Sequence, residues 1–179
     1  MNKITIALLA GLLVPAAEAA VLDASASGFT LENQQDVPVD AGQAWSALVD
    51  EVDRWWPRDH TWWGEASRLS IEPRAGGCFC EVDETGRRQA RHLQVVFADP
   101  GRTLRMEGGL GPLQGMGLHG VLEFRLQPLE QGGTRITLWY RAGGYTPDDL
   151  SAFAPIVDRV QGLQLGGLAA HLRAAGGER

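Results

Sequence analysis

"PDDLSAFAPIVDRVQGLQLGGLAAHLRA", residues 147–174, is the stretch that decides the architecture. Leu150, Phe153, Val157 and Val160 recur at spacings of three and four, and Leu165, Leu168 and Leu172 continue the pattern. Such spacing is one apolar face of a long helix. Pro147 suits a first helical turn. Pro155 lacks an amide donor and crowds the turn before it, so it predicts a kink or a detached first turn. A helix of this length near the C terminus needs a broad apolar surface to cover it.

The residues before it supply a run of strands. "RLSIEPR" alternates apolar and polar positions, and "CFCEVD" sets Phe79, Glu81 and Asp83 opposite Cys78, Cys80 and Val82. Arg91 to Ala98, "TLRME", "VLEFRL" and "TRITLWYR" follow, separated by "DPGR" and "QGGT" turn signals. Leu122, Phe124 and Leu126 share one face, as do Ile136, Leu138 and Tyr140. Upstream, Phe29 to Val37 reads as a first strand. Asp40 is a good N-cap for "AGQAWSALVDEV", and a short second helix is expected over 52–56, ending before Pro57. Consecutive antiparallel strands under one long helix make an α+β domain.

The beginning of the chain has a different character. Lys3, the apolar run Ile4–Val14 and Ala17-Glu18-Ala19 predict a secretory signal over residues 1–19, cleaved before Ala20, and hence a periplasmic or secreted protein. Residues 20–28 are small and polar and read as a loose leader. Residues 29–174 form the domain, and 175–179 read as a disordered tail. About 160 residues remain after cleavage, enough for one domain with a substantial core. The formal net charge is −6, with no basic stripe, which argues against nucleic acid as a partner. No GxxxxGK[ST] loop is present, which argues against an ATP-driven role. No second long apolar run predicts stable membrane insertion.

The element order resembles the helix-grip fold of the START/Bet v 1-like (SRPBCC) superfamily. Local features resemble its activator-of-Hsp90-ATPase-like branch: "VPVDAGQAWSALVD", "RWWP", the hairpin carried by Pro73, Gly76, Gly77, Phe79 and Glu81, and "VVFADPGRTLRM", in which Gly101 replaces a usual proline. The resemblance implies a curved antiparallel sheet of about seven strands around the C-terminal helix, two short helices after strand 1, and a cavity between sheet and helix. Members of the superfamily include lipid and hormone binders, polyketide cyclases and cochaperones. The export signal argues against a cochaperone role.

The candidate ligand-binding residues begin with "RWWPRDHTWWGE", residues 54–65, where Trp55, Trp56, Trp62 and Trp63 flank His60. Each indole buries roughly 200 Å² and must face a core, a ligand or a partner. Phe79, Leu113, Met116, Phe124, Tyr140 and Leu165 complete the expected lining. "GGLGPLQGMGLHG", residues 108–120, is too apolar for a solvated loop, and is expected either to lie on the barrel or to act as a lid. His60 and Glu81 are the candidate catalytic pair, with Arg91 or Arg105 expected to balance Glu81 if Phe79 faces inward. Cys78 and Cys80 read as packed thiols, as a disulfide, or as two metal ligands. Regular strand geometry sets their Cα atoms near 6.5–7 Å, long for a disulfide, and no further ligands complete a zinc site. No metal or other cofactor is expected. Gly162, Gly166 and Gly167 interrupt the last helix, either for close approach to the sheet or to preserve empty volume. The function expected from all this is binding of a small lipid-like or aromatic molecule in the cell envelope. The alternatives are a cyclase- or hydrolase-type enzyme and a ligand-free interaction module.

Overall fold

The computed structural model describes residues 19–177, so most of the expected signal segment and the last two residues lie outside the described residues. The chain folds as an α+β domain. Its strands are β1 (Ala19–Ser25), β2 (Gly28–Val37), β3 (Ser67–Ile71), β4 (Cys78–Asp83), β5 (Gln89–Asp99), β6 (Thr103–Gly108), β7 (His119–Pro128) and β8 (Thr134–Gly143). Two short helices, α1 (Ala41–Asp50) and α2 (Val52–Trp55), follow β2, and α3 (Ala154–Gly177) closes the chain. All neighbouring strands are antiparallel, in the order β1-β2-β8-β7-β6-β5-β4-β3, in one curved sheet that does not close. This is the helix-grip arrangement, with eight strands rather than about seven.

The extra strand corrects the reading of residues 20–28 as a loose leader. β1 pairs with β2 through Val21↔Leu31 and Ala24↔Phe29, giving backbone partners to what would otherwise be an open edge. The far end is also corrected. α3 runs to Gly177, and Arg173 donates to Gln35 Oε1 (2.9 Å) and the Asp36 carbonyl (3.0 Å) one turn before its end.

The helix starts behave as the sequence dictates. The Asp40 carboxylate accepts from the Gln43 amide at 2.9 Å and caps α1. Pro155 sits just inside α3, and Leu150–Ala152 form a separate 3-10 turn before it. Gly101 turns the β5–β6 hairpin at φ +75°, a conformation closed to proline, so the departure from the resembled motif is structural.

α3 lies across β2 and β1 and touches α1 and α2. Leu165, Leu168, Ala169 and Leu172 are buried in one apolar core with Phe29, Leu31 and Leu138. The core therefore fills the C-terminal half of the helix's contact with the sheet. The N-terminal half of α3 faces a space that remains open.

Candidate functional site

Between Trp56 and Trp62 on one side and the first turns of α3 on the other lies a cavity of about 400 Å³, within the range of small-molecule sites. Three groups of residues build it. The loop after α2 contributes Trp56, Asp59, His60, Thr61 and Trp62. The β6–β7 loop contributes Leu110, Gly111, Pro112 and Leu113. α3 and the turn before it contribute Phe153, Ile156, Val157, Val160, Gln161 and Gln164. His92 and Tyr140 close it from the sheet.

The loop bearing His60 and Trp62 is held by its own polar groups. Asp53 receives Arg58 Nη1 (3.0 Å) and the Leu69 amide (2.8 Å), and Arg58 also donates to the Ser67 carbonyl (3.1 Å). Burial pushes the Asp53 pKa up, but the hydrogen bonds from Arg58 and Leu69 outweigh it and hold the carboxyl below its ordinary value. Trp56 Nε1 donates to the His60 carbonyl (3.1 Å), so this tryptophan and the histidine backbone are fixed together.

Glu81 is the hub of the inner wall. It is fully buried. Its Oε1 accepts from Ser67 Oγ (2.6 Å) and the Trp62 amide (2.8 Å), and its Oε2 is 2.8 Å from His92 Nε2. The expected arginine partners are elsewhere: Arg105 pairs with Glu123 at 2.5 Å, and Arg91 is exposed opposite Cys80. His92 takes their place because β5 carries a bulge. Phe79 pairs with Leu93 and Cys80 with Arg91, which leaves His92 as the extra residue, and both His92 and Leu93 turn inward. Burial lowers the His92 pKa more than the neighbouring Glu81 raises it, so the imidazole is neutral near pH 7. Glu81 occupies Nε2 and leaves Nδ1 as the ring nitrogen able to accept a proton.

Four of the expected lining residues line the cavity: Trp56, Trp62, Leu113 and Tyr140. Trp62 is 47% exposed and marks the mouth. The other expected residues lie elsewhere. Trp55, the last residue of α2, is buried and donates to the Ala47 carbonyl of α1 at 3.0 Å. Trp63 stacks under Arg88, 5.3 Å from ring centre to guanidinium, because adjacent tryptophans on an irregular loop diverge. Phe79 faces inward as expected but sits behind the wall, its ring 5.1 Å from Trp56 and 5.2 Å from His92. Phe124 and Leu165 belong to the core, and Met116 packs against it at the loop's far end. The β6–β7 loop lies on the domain, with Leu113 and Leu118 buried. His60 does line the cavity, but the partner of Glu81 is His92, so the expected pair divides.

Cys78 and Cys80 are joined by a disulfide with their Cα atoms 5.4 Å apart. That separation lies within the ordinary disulfide range and below the spacing of a regular strand, which is why strand geometry alone argues against the bond. A disulfide leaves no thiolate for a metal, and no cluster of three or more metal-ligating side chains occurs among the described residues. Sequence reasoning missed His92, Gln161 and Gln164. The glutamines were the readable ones: 157, 161, 164 and 168 step along one helix face at spacings of four, three and four, with two polar residues on an apolar stripe.

Fold and site together define a helix-grip domain with a ligand-sized hollow. The chain belongs to the family described as polyketide cyclase / dehydrase and lipid transport, which it matches over residues 28–173, and so to the SRPBCC superfamily. No curated protein matches it in sequence. Among solved structures it is similar to the Mll3558 protein of Rhizobium loti, with 23% identity, a TM-score of 0.59, and coverage of 81% of this chain and 97% of that one. A Rhodobacter sphaeroides protein gives 20% identity and a TM-score of 0.58, covering 88% of this chain and 99% of that one. CalU16 of Micromonospora echinospora gives 19% identity and a TM-score of 0.53, covering 89% and 85%. These likenesses establish the fold.

Proposed function

We propose that this protein binds a small hydrophobic molecule, lipid-like or aromatic, between α3 and the sheet, and that it does so in the cell envelope. The cavity carries the first part: Trp56, Leu110, Leu113, Phe153, Val157 and Val160 present apolar surface that only a guest of similar character covers well. The family description, which includes lipid transport, supports the same reading. The envelope location rests on the signal-like pattern of residues 1–19.

Mass spectrometry of the protein from its native envelope, under gentle and then denaturing conditions, tests the binding. A co-purifying small molecule released on denaturation is expected, and a protein that is empty in every preparation counts against it. N-terminal sequencing of the same material is expected to begin at Ala20. Recovery of full-length chain from the cytosol would remove the envelope assignment.

The Glu81–His92 pair favours a second reading, an enzyme of the cyclase or hydrolase kind. A neutral imidazole whose Nε2 is held by a buried carboxylate has the tautomer of a general base. Incubation of the co-purified molecule with the protein in D2O tests it. Deuterium should enter the molecule, or its mass should change, with the wild type and not with His92→Gln. An unaltered molecule in both leaves binding alone.

A further inference from the structure

Among the described residues, six buried side-chain polar atoms lack a hydrogen-bond partner, and all but Asn33 Oδ1 belong to residues lining the cavity. They are Nε2 and Oε1 of Gln161, Oε1 of Gln164, the Tyr140 hydroxyl and His60 Nδ1. Gln161 and Tyr140 are fully buried and Gln164 is 4% exposed. Folded proteins leave few such atoms unpaired, because each loses its water without a replacement. Five in one hollow mark a place shaped for a partner that this chain does not supply.

The arrangement has a direction. Trp62 and Ile156, 47% and 60% exposed, stand at the mouth, while Tyr140, Gln161 and Gln164 form the closed inner end. Gly120 makes the room for Tyr140: a Cβ there would meet the ring and hydroxyl at 2.8 and 2.9 Å. Burial pushes the hydroxyl's pKa up to about 12, outweighing the lowering effect of the Leu110 backbone, so it keeps its proton and can donate. Gln161 offers a donor and an acceptor side by side, and Gln164 a second acceptor. The electrostatics are equally selective. Among the described residues no lysine or arginine lines the cavity, Asp59 stands in its wall, and Glu81 lies behind His92.

We propose that the inner end is a headgroup subsite for a neutral polar group that both donates and accepts, a hydroxyl or a primary amide, on an apolar ring or chain that fills the outer cavity. Carboxylates are excluded, because a buried anion here would find no cation to balance it. The proposal rests on the binding reading above and sharpens it from any hydrophobic guest to one class.

A matched series separates the two. Naphthalene, 2-naphthol and 2-naphthoate share one ring system and differ in the head. At pH 7 they are apolar, neutral polar and anionic. Binding is followed by quenching of tryptophan emission in the mature chain, for the wild type, Gln161→Leu and Tyr140→Phe. The wild type should bind 2-naphthol about tenfold tighter than naphthalene, the worth of one well-made buried hydrogen bond, and tighter than 2-naphthoate. Both variants should abolish the advantage of 2-naphthol over naphthalene. Gln161→Leu should also melt at a higher temperature than the wild type when empty, since it removes two unpaired atoms. Equal binding of naphthalene and 2-naphthol by the wild type, tightest binding of 2-naphthoate, or survival of the 2-naphthol advantage in both variants overturns the headgroup subsite and leaves the carrier reading intact. Failure of all three probes to bind overturns both.

Discussion

At the scale of single residues, His92 carries the clearest energetic signature. Its imidazole is buried against Phe79, and burial depresses its pKa below 6.5 despite the Glu81 carboxylate. The unfolded chain therefore takes up this proton first. Below about pH 6.5 it binds more protons than the folded state, and stability falls with pH until the folded-state pKa is passed. Above pH 6.5 the contribution is complete. Urea titrations at pH 7.5 and 5.5 should show a lower midpoint at the acidic value for the wild type. His92→Gln should lose part of its stability at both values and most of the difference between them. An equal pH difference in the two proteins would mean that another group is responsible. The β5 bulge explains why the residue was hard to read. Strict alternation across Arg91–Ala98 sends His92 to the face opposite Leu93, and only the bulge brings the two to the same side. No residue type in "RHLQVV" announces that bulge. That Phe79, Glu81 and Asp83 share one face was legible, because β4 alternates along its whole length, but which face turns inward was not, since Cys78, Cys80 and Val82 on the other face are also apolar.

At the scale of elements, α3 shows how one helix meets two demands. Its later turns pack against the sheet and against α2. A Cβ on Gly167 would collide with the Trp55 carbonyl, so this glycine exists for close approach. Gly166 has nothing within 4 Å of its would-be Cβ, and neither glycine lines the cavity. Of the two expectations, close approach and preserved empty volume, the second is thereby corrected, and the adjacent Leu163 is 55% exposed. The two neighbours should then respond in opposite directions to the same change. Gly166→Ala should stabilise the protein by up to about 1 kcal/mol through helix propensity. Gly167→Ala should destabilise it, because backbone must move to admit a methyl group. Thermal melts of the two variants check this, and like signs would refute the packing assignment. The helix itself was plain in the sequence, including the turn detached by Pro155. Its partners were not, because glycine spacing looks the same whether the cause is a close neighbour or an empty space.

At the scale of the whole molecule, the cavity follows from a mismatch between layers. The sheet curves but does not close, and α3 makes core contacts through Leu165, Leu168, Ala169 and Leu172 while its first turns stand off. The loops after α2 and β6 cover the opening instead of filling it. The order of elements made this plan readable from the sequence. The extent of the hollow was not readable, since it depends on where long loops settle. If the hollow is the binding site, filling it should remove binding without harming the fold. Val160 lines it from α3 and is half-buried, with open space ahead of it. Val160→Trp should place an indole where the guest would sit and bury apolar area of its own. At a 2-naphthol concentration a hundredfold above its dissociation constant, linkage stabilises the wild type by about 2.7 kcal/mol and raises its melting temperature by roughly 5–10 °C. The variant should melt at or above the temperature of the empty wild type and show no shift. A variant that still responds to 2-naphthol would place the bound molecule somewhere other than between α3 and the sheet.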